Sequence, residues 1–274
     1  MDAEMKRRIF KETIKTNETM KRYIVFLKQV PLSTKVDLDP VTKTLKRSSA
    51  LSQTNPDDLY ALQMALDLQR QSGAEVIAVS MGPASAETVL REALQRGADR
   101  AILLSSPAFA GSDTWCTSLV LASAVRKIGA YDLLFFGKMA IDGDTAQVGP
   151  EVAGQLDIPQ VTCLSAVGQL TKHTISVSRK AGAYLQQMEI ELPCAVMVSR
   201  ENGELDCMTL SGWRRAQRQE ILRWDEKDLG IDASSVGLYA SPTRVVSTAV
   251  PVRKKEINWC GDAAAFAEAI KKLF

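Results

Sequence analysis

One loop of this 274-residue chain combines small residues with side chains that can hydrogen-bond to a phosphate or a sugar. It follows an apolar run over residues 131–136 that is typical of a buried parallel strand, and it leads into a helical segment over 151–156. A strand that ends at a glycine and feeds a helix is where open α/β sheets bind nucleotides. The loop consists of Gly137, Lys138, Met139, Ala140, Ile141, Asp142, Gly143, Asp144, Thr145, Ala146, Gln147, Val148, Gly149 and Pro150.

The donors and glycines of this loop suit an anionic ligand. Thr145 and Gln147 can donate hydrogen bonds to phosphate or ribose oxygens, and Gly143 and Gly149 allow backbone N–H groups to approach a ligand closely. The first free N–H groups of the following helix add positive potential. The spacing therefore predicts a nucleotide site, and the alternative is an ordinary connection between a strand and a helix.

Two carboxylates in the loop need another role, because they would repel a phosphate. We expect Asp142 and Asp144 to hold the loop or cap the helix, and Asp144 followed by Gln147 fits a capping box. Pro150 conflicts with a helix capped at Asp144, since a proline inside a helix loses a hydrogen bond and clashes with the preceding turn. The alternative is a helix that restarts with Pro150 in its first turn.

Composition narrows the class of protein. Hydrophobic residues make up 46% of the chain, enough for a full core, and a net charge of +2 without a long basic block argues against a nucleic-acid partner. There is no apolar run of about eighteen residues and no signal-peptide core. We therefore expect a soluble cytoplasmic protein with no membrane span.

The cysteines and the single histidine are poor candidates for reactive sites. Five cysteines are scattered without a Cys-x-x-Cys pair, so free buried thiols are expected. His173 stands in a polar stretch between two predicted strands. We expect no metal site and no catalytic side chain, so that redox or transfer chemistry would come from a cofactor.

Apolar runs alternate with helical patterns, which predicts a doubly wound, mostly parallel sheet of the Rossmann-like α/β class. Strands are predicted at 23–27, 75–80, 100–104, 131–136, 161–162 and 195–198, and helices at 55–68, 84–96, 113–128 and 213–219. A hairpin-like excursion is expected over 35–46. Residues 174–178 and 184–190 alternate in polarity and predict an antiparallel extension with one wet face.

The chain divides into three predicted regions. Residues 1–19 are expected to be a disordered extension, 20–215 a nucleotide-binding α/β domain, and 216–274 an extended C-terminal arm. The arm has no sustained period from Arg223 onward and contains Trp224 and Trp259. A second subunit is the natural surface for such a tail. Packing on its own domain is the alternative.

Several segments in order resemble the beta (small) subunit of electron transfer flavoproteins. They are the loop at 137–150 and residues 25–31, 55–56, 80–83, 97–100 and 192–193, and the likeness runs from Met20 to about Val246. The resemblance implies a heterodimer with an alpha subunit that holds most of an FAD and exchanges electrons with acyl-CoA dehydrogenases. It also implies that the C-terminal tail wraps the partner.

The resemblance extends to a nucleotide pocket, which holds AMP in ordinary members and a second FAD in electron-bifurcating members. It places the nucleotide against Phe26, Asn55, Pro56, Asp57, Asp58, Met81 and the loop residues from Gly137 to Val148. Segments 39–42, 58–62 and 109–114 look like bifurcating members. They imply FAD here, with NADH as electron donor and ferredoxin as a low-potential acceptor; AMP is the alternative.

Two departures from the family pattern matter. Asp57 stands where the family usually has phenylalanine after Asn-Pro, so an aromatic near the nucleotide is missing. Residues 203–207 read Gly-Glu-Leu-Asp-Cys where the dehydrogenase-docking loop of the family usually reads Asn-Glu-Pro-Arg-Tyr. The second departure leaves the identity of the docking partner open.

Other interpretations remain for the pocket. Phe26, Met81 and Met139 could pack on a flavin ring or on adenine, and Lys28, Arg91 or Arg179 could stabilise a reduced flavin or be surface charges. A nucleotide-binding module without redox work is a further alternative. An adenylating enzyme would need a Gly-rich loop after the first strand, where residues 28–31 read Lys-Gln-Val-Pro, so we set it aside.

Overall fold

Strands and helices alternate along the chain in the order that the apolar runs predict. The computed structural model describes residues 21–32, 52–200, 203–246 and 261–271. Its strands are β1 (Arg22–Phe26), β2 (Gln29–Pro31), β3 (Ser52–Thr54), β4 (Glu75–Met81), β5 (Arg100–Leu104), β6 (Leu133–Gly137), β7 (Gln160–Leu170), β8 (Thr174–Ala181), β9 (Tyr184–Glu191), β10 (Cys194–Val198) and β11 (Ile221–Trp224). Its helices are α1 (Pro56–Ser72), α2 (Glu87–Arg96), α3 (Thr114–Ile128), α4 (Val148–Leu156), α5 (Leu210–Ala216), α6 (Gly237–Ala240) and α7 (Ala263–Lys271).

A nine-stranded sheet organises these elements in the described part of the chain. Its order is β11-β5-β4-β1-β6-β10-β7-β8-β9, and every pair from β11 to β7 is parallel. The pairs β7–β8 and β8–β9 are antiparallel. The predicted doubly wound sheet with an antiparallel extension is therefore confirmed.

Both faces of the parallel part are buried, as the continuous apolar runs require. Along β1, Tyr23 and Val25 point into a cluster that includes Leu62 of α1, whereas Ile24 and Phe26 point into the cluster of the opposite face. The first cluster is built mainly with α1 and α2, and the second with α3 and α4. Helices thus cover the sheet on both sides and leave the strand ends as the accessible edge.

Helix boundaries follow capping signals more closely than apolar periods. Helix α3 begins after Asp113, whose carboxylate accepts a hydrogen bond from Cys116 N at 3.0 Å. Helix α5 begins after Thr209, whose hydroxyl accepts from Gly212 N, so the helix predicted at 213–219 lies three residues too late. Helix α1 starts with Pro56 as predicted but runs four residues further than expected, to Ser72.

The antiparallel extension is longer than predicted. Strand β7 has eleven residues where a short strand at 161–162 was expected, because it pairs with β10 as far as Leu164 and continues from there to Leu170 as the partner of β8. Ile175 and Val177 bury one face of β8, as predicted. Strand β9 instead exposes side chains on both faces, since it lies at the end of the sheet.

The tail after residue 215 begins by packing on the chain's own sheet. Strand β11 pairs with β5, Lys127 lies 4.8 Å from the ring centroid of Trp224, and Val236 is buried in the second cluster. A strand of four residues is too short to show a period, which is why the sequence did not reveal it. The first compact unit accordingly runs to Arg244 and the second from Val245 to Phe274.

In the second compact unit, the described helix α7 buries none of its residues and exposes Phe266 and Ile270. Within the described ranges, no helix is both long and apolar enough to cross a membrane. Residues 1–19, the excursion at 35–46, segment 39–42 and Trp259 lie outside the described residues, and the expectations about them stay predictions.

Candidate nucleotide-binding site

The predicted site residues lie near the point in the sheet where the order of the strands reverses. From β1 the chain builds the sheet outward through β4 and β5 on one side, and later adds β6 and β10 on the other. Ligands of open α/β sheets bind outside the carboxyl ends of the strands at such a switch point. Phe26, Met81 and Gly137 end β1, β4 and β6 at this edge.

The apolar residues of the predicted site differ in how accessible they are. Phe26 is only 5% exposed and stacks on Phe136 with ring centroids 4.4 Å apart. It therefore belongs to the core beneath the end of β1. Met81 and Met139 are half-buried, so they offer accessible thioether surface at the same edge.

The side chain of Asn55 ties the loop to helix α1. Asn55 is fully buried, and its Nδ2 donates to Met139 O at 2.9 Å and to Asp58 Oδ1 at 3.0 Å. Its Oδ1 accepts a hydrogen bond from Ile141 N at 3.2 Å. A buried amide needs such partners, and here two of its three bonds hold the backbone of the loop.

Asp57 and Asp58 support the loop from below. Asp58 accepts from Asn55 Nδ2 and from Lys28 N, the latter at 2.8 Å, and burial raises its pKa to about 7. Burial also raises the pKa of Asp57, although backbone hydrogen bonds from Met139 and Arg200 oppose that shift. Both carboxylates are buried against the protein, so the structure places them behind the loop.

Gly137 permits this close approach of helix α1. A Cβ at Gly137 would overlap Asp58 Oδ1 and lie 2.7 Å from Asp58 N. Only a glycine at the end of β6 lets the first turn of α1 sit directly on the strand. Pro56, the first residue of that turn, gives up an N–H that would have no helical partner there.

An ion pair anchors the outer part of the loop. Lys28 Nζ lies 2.7 Å from Asp142 Oδ1, and the Asp142 side chain is only 11% exposed. The pair turns the negative charge of Asp142 toward a lysine and away from the open side of the loop. Asp142 thus holds the loop, one of the two roles expected for it.

The loop presents backbone donors that have no acceptor among the residues the structure describes. Residues 141–147 are exposed, and the amides of Thr145, Ala146 and Gln147 donate no hydrogen bond to any residue within the described ranges. Asp144 and Ala146 have φ of 49° and 53°, in the left-handed region, and Gln147 is right-handed. Such alternation forms an anion-binding nest of N–H groups, and the Thr145 hydroxyl is beside it.

The capping box predicted from Asp144 and Gln147 is wrong. Helix α4 begins at Val148 after Gln147, no side chain in the described part of the chain caps it, and Pro150 lies in its first turn. The alternative given by the proline was correct. Gly149 serves packing more than ligand approach, because a Cβ there would lie 2.9 Å from Met197 Cε.

A contact with helix α3 was not anticipated from the sequence. Thr114 Oγ1 lies 3.3 Å from Gln147 Oε1 and 3.0 Å from Glu151 Oε1. Burial raises the pKa of Glu151, and its second oxygen has no partner in the described part of the chain. The available sequence signal was Asp113, which caps α3 and so fixes Thr114 beside the loop.

Of the three cations considered for a flavin, only Lys28 is at this edge. Arg91 donates to the carbonyls of Ala216 and Gln219, and Arg179 lies on β8, three strands from β6.

A concave surface elsewhere encloses about 640 Å³ and is lined by Leu210, Ser211, Arg214, Arg215, Arg218 and Gln219. It contains none of the predicted site residues, and the free amides favour the switch point for a nucleotide.

Replacing Gly137 by alanine should displace the first turn of α1. We expect Gly137→Ala to lose about 1–3 kcal/mol or more of unfolding free energy, as overpacked sites do. Gly143→Ala is the matched control in the same loop, because a Cβ at Gly143 meets nothing within 4 Å. Urea unfolding followed by circular dichroism measures both, and equal midpoints would contradict the packing described here.

Comparison with known proteins finds a family match and several relatives of this chain. A model of the electron transfer flavoprotein domain matches residues 42–229. The chain is 42% identical over 240 residues to protein FixA of Azorhizobium caulinodans, covering 85% of each chain. It is 42% identical to electron transfer flavoprotein subunit beta of Thermoanaerobacterium thermosaccharolyticum over 83% of this chain and 87% of the relative. Caffeyl-CoA reductase-Etf complex subunit CarD of Acetobacterium woodii is 41% identical over 85% of this chain and 89% of its own. The chain therefore belongs to the electron transfer flavoprotein family, as a protein of the beta-subunit and FixA type with a function in electron transfer.

Proposed function

We propose that this chain binds FAD at the switch point beside β1 and β6 and that its complex draws electrons from NADH. The observation that carries the proposal is the nest formed by the N–H groups of Thr145, Ala146 and Gln147, which have no acceptor within the described ranges, since a phosphate group satisfies such donors. When bound, FAD supplies the hydride-accepting and one-electron chemistry that protein side chains do not.

Different residues of the site hold different parts of this nucleotide. The amides of 145–147 and the Thr145 hydroxyl bind phosphate oxygens, and the N-terminus of α4 adds positive potential. Asn55 keeps the loop in place, and Lys28 neutralises Asp142. Met81 and Met139 offer soft apolar surface for the ring system.

The complex would oxidise NADH and divide the two electrons. One electron goes to a low-potential acceptor such as ferredoxin, and the other passes through the alpha subunit to an acyl-CoA dehydrogenase-type flavoenzyme. The support is the likeness of segment 109–114 to bifurcating members. A relative that is a subunit of a caffeyl-CoA reductase-Etf complex further supports a CoA-ester flavoenzyme as the partner.

Beta subunits of this family pair with an alpha subunit, and two exposed elements of this chain are candidate surfaces for binding that partner. Strand β9 is an open edge eight residues long, and Tyr184 and Leu185 are 77% and 63% exposed. Helix α7 exposes Phe266 and Ile270. We propose that the alpha subunit covers both, and that the complex works in the cytoplasm.

The nucleotide content of the purified alpha–beta complex tests the proposed function. We expect acid treatment to release two FAD per heterodimer and NADH to bleach the flavin absorbance. One FAD and one AMP per heterodimer, inert to NADH, would instead mean an ordinary electron carrier. In a Thr145→Val complex the nucleotide of this chain should be lost, because a phosphate oxygen left unpaired costs about 1–3 kcal/mol.

A negative charge at Leu185, on the exposed strand β9, should weaken pairing with the alpha subunit. We expect Leu185→Glu to reduce copurification of the tagged partner, while stability of the chain changes by less than about 0.5 kcal/mol because Leu185 is exposed. Gln187→Glu adds the same charge on the same face without removing an apolar contact, and it should copurify nearly as the wild type does. Equal recovery of both variants would place the interface elsewhere.

A further inference from the structure

We propose that Asp58 is a positioning residue for the nucleotide loop: its ionised carboxylate orients Asn55, so nucleotide affinity depends on the proton of Asp58. The inference rests on the proposed function of the loop as a nucleotide site. It concerns a residue that lies behind the loop, where it would not touch the ligand. Its two oxygens connect the end of β1 to the loop through Asn55.

Both carboxylate oxygens of Asp58 accept a hydrogen bond from an N–H group. Its Oδ1 accepts from Asn55 Nδ2 and its Oδ2 from Lys28 N, at 3.0 and 2.8 Å, and the residue is 7% exposed. An ionised carboxylate accepts both bonds. A protonated carboxyl adds an O–H that needs an acceptor, and the described partners of its two oxygens are both N–H donors.

The orientation of the Asn55 amide depends on that carboxylate. Nδ2 donates to both Asp58 Oδ1 and Met139 O, while Oδ1 accepts from Ile141 N. If the amide turned over to accept from a protonated Asp58, its NH₂ would face Ile141 N–H and its oxygen would face Met139 O. A proton on Asp58 Oδ1 therefore either leaves its O–H without an acceptor or costs both bonds of Asn55 to the loop.

The charged groups around Asp58 set where this proton titrates. Burial is the main cause that raises its pKa, and the negative charge of Asp57 acts in the same direction. Lys28, at the end of β1, favours the ionised form. Lys138 and Arg200 act on Asp57, and Asp142 is paired with Lys28. The outcome is a pKa of about 7.

The sign of the pH effect follows from this value. Below pH 7 the free protein holds the proton, and binding to an ordered loop must expel it. At pH 6 about one molecule in ten is ionised, against about nine in ten at pH 8, so affinity should be about tenfold weaker at pH 6. At pH 7 each binding event should release about half a proton.

The test measures binding of FAD and, separately, of AMP to the alpha–beta complex stripped of the nucleotide of this chain. We expect wild-type affinity for FAD to fall about tenfold from pH 8 to pH 6. Asp58→Asn should bind more weakly at pH 8, because one acceptor becomes a donor, and should lose the pH dependence. Asp67→Asn, an exposed carboxylate on the same helix, should retain the wild-type profile.

Calorimetry of FAD binding to the wild-type complex, in two buffers of different ionisation enthalpy, keeps the test valid if Asp58→Asn fails to fold. Release of about half a proton at pH 7 supports the inference, and binding without proton release overturns it, as does a pH profile shared by Asp58→Asn. A wild-type complex that binds neither FAD nor AMP at pH 8 would contradict the proposed function itself.

Discussion

The buried side chain of Asn55 is the interaction on which the rest of the site depends. A fully buried amide must find its partners inside the protein, and this one finds them on the first turn of α1 and on the loop after β6. The two elements are far apart in sequence, so the amide joins parts of the chain that local structure alone would not align. Gly137 makes the arrangement possible, because any side chain there would displace α1.

The loop stores strain, and its anchors make that strain tolerable. Asp144 and Ala146 are held in the left-handed region, at a cost of roughly 1–3 kcal/mol each. Asp58 adds a second cost when it ionises. Because burial raises its pKa to about 7, the protonated side chain stabilises the fold relative to the ionised one. This stability is fully present below the unfolded pKa near 4 and is lost as pH rises through about 7. The left-handed residues and the buried carboxylate together hold the loop so that N–H groups without a described acceptor lie at the edge of the sheet, where an anionic ligand can bind them.

The sequence predicted the sheet and the edge that carries the candidate site, because buried parallel strands are continuous apolar runs and a switch point follows from their order. Strand β11 was missed since four residues show no period, and the length of β7 was missed because its outer half is exposed. The start of α4 was misjudged because the left-handed residues are Asp144 and Ala146, whereas glycine is the usual signal. The bonds of Asn55 to the loop span more than eighty residues, which no local pattern reports.

Amide hydrogen exchange of the alpha–beta complex, measured with its copurified nucleotide and again after removal of that nucleotide, shows whether the loop amides bind the nucleotide. Without a ligand the amides of Thr145, Ala146 and Gln147 have only solvent to bond to among the described contacts. We expect slow exchange at these three amides when nucleotide is bound and fast exchange after its removal, with strand β6 unchanged. Unchanged exchange at 145–147, with the ligand-dependent change at the concave surface around Arg214 and Arg218 instead, would contradict this expectation.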